Sequence, residues 1–409
     1  MRTTIVIGGG PAGMLAAGTA ARQGERVLLI EKNPMLGKKL RITGKGRCNI
    51  TNACEIQDML GNIPTNHKFL YSALYTFTND DIVRLLEDMG VKTKVERGAR
   101  VFPVSDNAHD VAEALRRYAL HPNTRLIRDE VKSLVIRDGV LEGVKTAQKQ
   151  YSCDRVIMAT GGASYPGTGS TGDGYRLAQQ AGHTVIPPKP SLIPIVTRED
   201  WPSEVMGLSL KNIELSVYRG RKKIYTDFGE MLFTHFGVSG PVILSASAHM
   251  RKIETEEYVL SIDLKPALTM EKLDKRLLSD FEKYAKKHLI NGLDDLLPKA
   301  LIPVVIREAG LDPHKEISFI TREERHSLAE TLKGLRLHAK EFRPVSEAIV
   351  TSGGVKVGEI DPSTMESKCL KGLFFAGELI DVDAYTGGFN LQIAYSTGYL
   401  AGISGNSQI

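Results

Sequence analysis

Three glycines near the start constrain this chain most. Gly8, Gly10 and Gly13 fall in the order GxGxxG between an apolar, β-branched run (Ile5, Val6, Ile7) and an alanine-rich run from Ala12 to Ala21. A short buried strand followed by a helix accounts for both runs. The first glycine permits a tight turn, the second lets a pyrophosphate approach the backbone, and the third lets helix and strand pack closely. Pro11 suits the first helical position, where its missing N–H would have no partner anyway. Val27 to Ile30 reads as the next buried strand, and Glu31 at its end can accept from a ribose hydroxyl. An α/β, Rossmann-like dinucleotide site follows.

Further along, Asn79 and Asn107 are expected to cap helices running to about Met89 and Tyr118. Leu126 to Ala147 alternates like a hairpin, with Asp138-Gly139 as its turn. Arg155 to Thr160 is another short strand, ending on Gly161-Gly162. The prolines at 187, 188, 190 and 194 mark a domain boundary. Residues 208–262 alternate as strands, with a hairpin near Tyr218 to Arg221, whereas 269–333 has helical period, with Leu273, Leu277, Phe281 and Tyr284 on one face. Strand patterns return at Ile349–Thr351 and Leu373–Phe375.

Composition bounds the class. With 409 residues, 42% hydrophobic, the chain has material for two or three cores, and a net charge of +5 is mild. No run of about 18 apolar residues exists, so no membrane partner is expected. Cysteines at 48, 54, 153 and 369 have no CxxC spacing, which points to a reducing, cytoplasmic setting without a zinc cluster or disulfide framework; no metal-ligand spacing stands out.

FAD rather than NAD is expected as the resident cofactor, because the C-terminal segment carries its own glycine pattern. Gly377-Glu378 follows a strand, and Thr386-Gly387-Gly388-Phe389-Asn390 opens a helix. A helix N-terminus presents free N–H groups to the negative N1/C2=O edge of reduced flavin, and Glu378 suits the ribitol. A second GxGxxG at Gly167, Gly169 and Gly172 lacks an acidic ribose partner. It is expected to pack near the flavin, leaving NAD(P)H as a transient electron donor.

Six stretches in one order resemble the BaiN/YhiN-type bacterial flavoproteins: Thr43–Asn52, Arg100–Pro103, Ser170–Tyr175, Phe233–Pro241, Val350–Val355 and residues 372–390. The resemblance implies three domains. A discontinuous FAD-binding Rossmann-like domain would take 1–188 and 345–409, an inserted β-rich substrate domain 189–265 and 334–344, and a small nested helical domain 266–333. It implies a flavin site drawn from Gly8, Gly10, Pro11, Ala12, Gly13, Glu31, Lys32, Lys39, Arg47, Cys48, Asn49, Val131, Ala159, Thr160, Gly161, Gly377, Glu378, Gly387, Gly388, Phe389 and Asn390. The family often has tyrosine where this chain has Phe389, so no phenol there donates a proton.

Two side chains stand out as candidate proton donors: Cys48, in the loop the resemblance puts beside the flavin, and His235, the right acid or base at neutral pH. Six basic residues and no acidic one lie between Lys32 and Arg47, and some of that charge is expected to face the diphosphate. Arg219, Arg221, Lys222 and Lys223 form a second cluster, suited to a polyanion. The activities implied by the resemblance include reduction of uridine in ribosomal RNA, reduction of steroid-like enones and amine oxidation. Ribosomal RNA, with dihydrouridine as product, is the leading substrate; a small-molecule flavoenzyme and a non-catalytic, flavin-bound RNA-binding module are the alternatives. No DNA partner is expected.

Overall fold

The β-branched run Thr3–Ile7 has almost no exposed residue and becomes the middle strand of a five-stranded parallel sheet. Arg155–Met158 and then Leu373–Phe375 lie on one side of it, and Arg26–Glu31 and then Thr124–Arg128 on the other. Near-continuous apolar sequence suits such strands, because helices cover a parallel sheet on both faces. The structure, a computed structural model, describes residues 1–406.

The first helix, Pro11–Arg22, crosses the C-terminal helix, Phe389–Ile403, at very short range. A Cβ on Gly398 would lie 2.3 Å from the Ala12 carbonyl oxygen, and one on Gly402 would lie 3.0 Å from that of Ala16. Only glycine lets these backbones meet. Beneath the far end of that crossing sits Arg155, fully buried. It pairs with Glu25 at 2.8 Å and donates to the carbonyls of Ala401 and Gly402, both at 2.9 Å. A cation on the last carbonyls of a helix matches the polarity of its C-terminus.

Several local expectations are refined by long-range partners. Asn107 caps the helix Ala108–Ala119, accepting from the His109 N–H at 3.0 Å. For Asn79–Asp88 the cap is Thr78, in a capping box with Asp81, and not Asn79. The Asn79 amide is spent on the carbonyls of Asn52 (2.7 Å) and Cys54 (2.9 Å). Asp138 and Gly139, both at positive φ, turn the hairpin Val131–Arg137 to Val140–Thr146, whereas Leu126 belongs to the parallel sheet. The proline-rich strand Val185–Ser191 pairs antiparallel with Val350–Val355, with a register shift between Ile186 and Lys189 where Pro187 and Pro188 have no N–H to give.

The chain divides into two compact units, Met1–Ser191 with Pro344–Ile409, and Leu192–Arg343. The second holds a closed six-stranded barrel in the order Ile195–Thr197, Gly237–Ser239, Lys222–Thr234, Ser209–Arg219, Tyr258–Asp263, Leu335–Phe342. Its helices Met270–Lys283, Ile302–Glu308 and Arg322–Lys333 share one apolar core with the barrel, where Leu273, Leu277 and Leu328 join Leu260 and Leu337.

Candidate functional site

The glycine turn has three unlike glycines. Gly8 sits at φ +102° with its would-be Cβ 2.4 Å from the Ala159 carbonyl oxygen, so that turn is closed to any side chain. Gly13 presses on the turn itself, its would-be Cβ 1.8 Å from the Gly8 oxygen. Gly10 is the reverse: nothing lies within 4 Å of its would-be Cβ. It also caps the first helix without any side-chain cap. The first-turn N–H groups therefore have no intrahelical acceptor and no capping side chain, beside an open space over backbone. Such a cradle has the room and the free donors to receive an anion such as a diphosphate.

Glu31 tightens the cradle. Its Oε2 accepts from the Gly9 N–H at 2.6 Å, and its Oε1 from the backbone and side chain of Asn33, both at 2.7 Å. Asn33 in turn reaches the Thr168 carbonyl at 3.2 Å, so the second glycine-rich loop packs on the end of the second strand. A Cβ on Gly169 would lie 2.3 Å from the Asn33 amide nitrogen.

The distant half of the chain is brought alongside. Gly377, at φ +72°, donates to Thr397 Oγ1 at 2.9 Å, and a Cβ there would lie 2.9 Å from that of Ala12. Glu378 is fully engaged by protein donors: Lys39 Nζ at 2.7 Å, Ser164 Oγ at 2.9 Å and the Thr351 N–H at 2.8 Å. Thr351 Oγ1 accepts from the N–H groups of Ala163 and Ser164. Glu378 and Lys39, expected as direct contacts of the cofactor, thus form a polar hub that fixes the loop after Ala159, Thr160 and Gly161. Thr160 Oγ1 is buried there without a partner. Asn49, with its amide oriented toward Val101 and Thr51, accepts from the Gly388 N–H at 3.0 Å, and Asn52 donates to the Gly387 carbonyl at 3.1 Å. Asn390 is used within its own loop, bonding both the N–H and the carbonyl of Ala384. Phe389 is buried.

Other expected residues go elsewhere. Arg47 is committed to Glu96 (2.5 Å) and Asp106 (2.6 Å) and lies over the Phe102 ring, so its charge is balanced within the protein rather than left for a diphosphate. Both carboxylates hold its guanidinium above its ordinary pKa. Lys32 pairs with Asp173. Cys48 is wholly buried at φ +61°, and burial pushes its thiol up to about 12. A thiol closed off from solvent beside the buried Tyr395 is placed to pack, not to protonate a substrate. His235 is exposed in the barrel unit, edge-on to Phe236, and makes no hydrogen bond among the described residues. Val131 opens its hairpin strand opposite Thr146.

Ser164, Thr351 and Asp383 were not singled out from sequence. Asp383 is 1% exposed and accepts from Ser191 (2.7 Å), Ser352 (3.1 Å) and Thr65. The available signal was position: Thr351 and Ser352 fall within the stretch Val350–Val355, and Ser164 follows Gly161-Gly162.

The parallel sheet, the glycine turn and the acidic strand end define a Rossmann-type dinucleotide-binding protein. The chain belongs to the family described as HI0933-like protein Rossmann domain, whose profile matches residues 2–404. It is 31% identical to a 3-dehydro-bile acid delta(4,6)-reductase of Clostridium scindens over 404 residues, covering 97% of each chain. It is also 31% identical to a ribosomal RNA dihydrouridine synthase of Haemophilus influenzae over 411 residues, covering 98% of this chain and 97% of that one. Among solved structures, 3-ketosteroid delta1-dehydrogenase from Sterolibacterium denitrificans shares the fold with a TM-score of 0.51 at 13% identity, covering 98% of this chain and 99% of that one. No helix among the described residues is long and apolar enough to cross a membrane.

Proposed function

We propose that this chain is a cytoplasmic, FAD-dependent oxidoreductase that reduces a C=C bond conjugated to a carbonyl. Its leading substrate is a uridine of 23S ribosomal RNA, and NAD(P)H is a transient electron donor. The observation that carries the flavin assignment is the open cradle at Gly10, uncapped and bordered by Glu31. The Gly8–Gly13 turn would hold the diphosphate and Glu31 the ribose. The Ala159–Gly161 and Gly387–Phe389 segments would line the ring system. Bound FAD supplies hydride transfer at N5. The protein's part is to orient the unsaturated ring and deliver one proton. Buried Cys48 is poorly placed for that.

Two relatives named for a bile acid reductase and for dihydrouridine synthesis support the bond class, since both products arise by saturating a C=C bond near a carbonyl. For RNA, the hairpin tip carries Arg221, Lys222 and Lys223, all exposed. A second reading, a small-molecule enone reductase, is favoured by the pairing of Lys32, Lys39 and Arg47 with carboxylates, which removes charge from the stretch 32–47.

Absorbance of the purified protein tests the flavin: a colourless preparation that takes up no added FAD would overturn it. Mass spectrometry of 23S rRNA from cells lacking the gene tests the substrate. Lost dihydrouridine is expected, and an unchanged content transfers the assignment to the small-molecule reading. Under the RNA reading, Arg221→Glu with Lys222→Glu should impair RNA turnover while sparing small enones.

A further inference from the structure

Outside the glycine turn and the Glu378 hub, three ligand-type side chains from distant parts of the sequence converge. His183, Glu359 and Cys369 each bring one donor atom (imidazole nitrogen, carboxylate oxygen, thiol sulfur), and these atoms all lie within 4.8 Å of one another. His183 is 4% exposed, and its Nδ1 is buried with no hydrogen-bond partner. That atom lies 3.5 Å from Glu359 Oε2. A tetrahedral ion with bonds of about 2.0–2.1 Å to nitrogen and oxygen sets those ligand atoms about 3.3 Å apart, so the pair is already spaced for one.

The surroundings hold the three in place. Glu359 Oε2 accepts from the Thr184 N–H at 2.7 Å, next to His183 in the chain. The Lys368 N–H donates to the Glu359 carbonyl at 2.9 Å, which fixes the segment carrying Cys369 against the one carrying Glu359. On the far side of the imidazole, Nε2 lies 2.6 Å from Ser367 Oγ, which also accepts from the Cys369 N–H at 3.0 Å. The edge of the imidazole rests on Phe375, with ring centroids 4.7 Å apart. Imidazole ligands in metal sites are commonly oriented by such an outer partner on their second nitrogen.

We propose that His183 Nδ1, Glu359 and Cys369 Sγ bind a divalent cation of the zinc class, with the fourth position open to solvent beside exposed Cys369. Nitrogen, oxygen and sulfur donors together select zinc or cobalt over magnesium or calcium. The ion takes the place of the Cys369 thiol proton, which is released to water, and the single hydrogen of the neutral imidazole then resides on Nε2, facing Ser367. The site would clip the turn at 183 to the segment 359–369. No spacing motif announces it, because the residues are remote in sequence.

The test uses the full chain after treatment with a chelator. Zinc titration by calorimetry, with elemental analysis, should give one ion per chain. Cobalt substitution should give the near-ultraviolet band of a thiolate–cobalt bond. Cys369→Ser and Glu359→Gln, at positions not buried in the core, should keep the fold and weaken zinc at least about tenfold, with the cobalt band lost in Cys369→Ser. Cys54→Ser, which removes a different thiol, should change neither readout. Absence of stoichiometric zinc at micromolar concentration, or a cobalt band that survives Cys369→Ser, would overturn the proposal. His183→Asn removes the buried ligand, and its loss of zinc counts only if its melting temperature stays near wild type.

Discussion

Replacing Gly10 and Gly13 separately by alanine separates cofactor binding from folding. At Gly13 the new methyl would begin 1.8 Å from the Gly8 carbonyl oxygen, where real Cβ contacts stay beyond 3.0 Å. The obstacle is backbone on both sides, so the turn and first helix must part. Overpacking of this kind costs about 1–3 kcal/mol. In a unit of this size that is a fall of roughly 3–10 °C in melting temperature. At Gly10 the methyl meets nothing within 4 Å, and the backbone (φ −76°, ψ −177°) suits any residue. Stability there should move by no more than about 0.5 kcal/mol. The methyl would instead occupy the approach of the diphosphate. A loss of about 1–3 kcal/mol in binding is roughly a 5- to 150-fold weaker FAD dissociation constant. Calorimetric melting of flavin-free protein reads the first quantity, and quenching of flavin fluorescence reads the second. A normally folded Gly10→Ala protein that binds FAD like wild type would refute the cradle. An unshifted melting temperature for Gly13→Ala would refute the packing reasoning.

Other expectations follow from the same geometry. Arg155→Met leaves Glu25 buried without its partner, which should cost about 3–5 kcal/mol, seen as a lower urea midpoint; a change below about 1 kcal/mol would mean the pair is dispensable. Arg47→Gln should leave FAD affinity within about twofold of wild type, because its charge is spent on Glu96 and Asp106; a large loss in a flavin titration would restore it to the cofactor. The Cys48 thiol ionises near 9.0 once unfolded but is pushed up to about 12 by burial. Its contribution to stability is therefore complete below pH 9 and is lost as pH rises toward 12, at about 1.4 kcal/mol per unit. Urea midpoints across that window should fall less steeply in Cys48→Ala, and identical slopes would show the thiol to be accessible.

What sequence could reveal here was local in origin. The glycine turn, the strand ending at Glu31, the Asp138-Gly139 hairpin and the Asn107 cap each need only a few neighbouring residues to specify them. Asn79 failed as a cap because its amide is claimed by the carbonyls of Asn52 and Cys54, 27 and 25 positions away. Arg47 likewise finds partners remote in sequence, since the segment from Glu96 to Asp106 supplies carboxylates that no spacing rule brings near it. The Glu378 hub combines residues 39, 164, 351 and 378. Arg155 is a further case, because its buried partners, Glu25 and the carbonyls of Ala401 and Gly402, are all remote in sequence.

The contact of Gly398 with Ala12 has a consequence for how the protein is made. During synthesis the first helix emerges before the inserted unit, while the partner that fits against its backbone emerges only after that unit. The strand Leu373–Phe375, which borders Arg155–Met158, is nearly as late. The barrel unit, by contrast, is contiguous, and it closes when Leu335–Phe342 pairs with Ile195–Thr197. The insertion can thus complete its core while the other unit, with its Gly398-facing surface bare, still waits for the helix Phe389–Ile403.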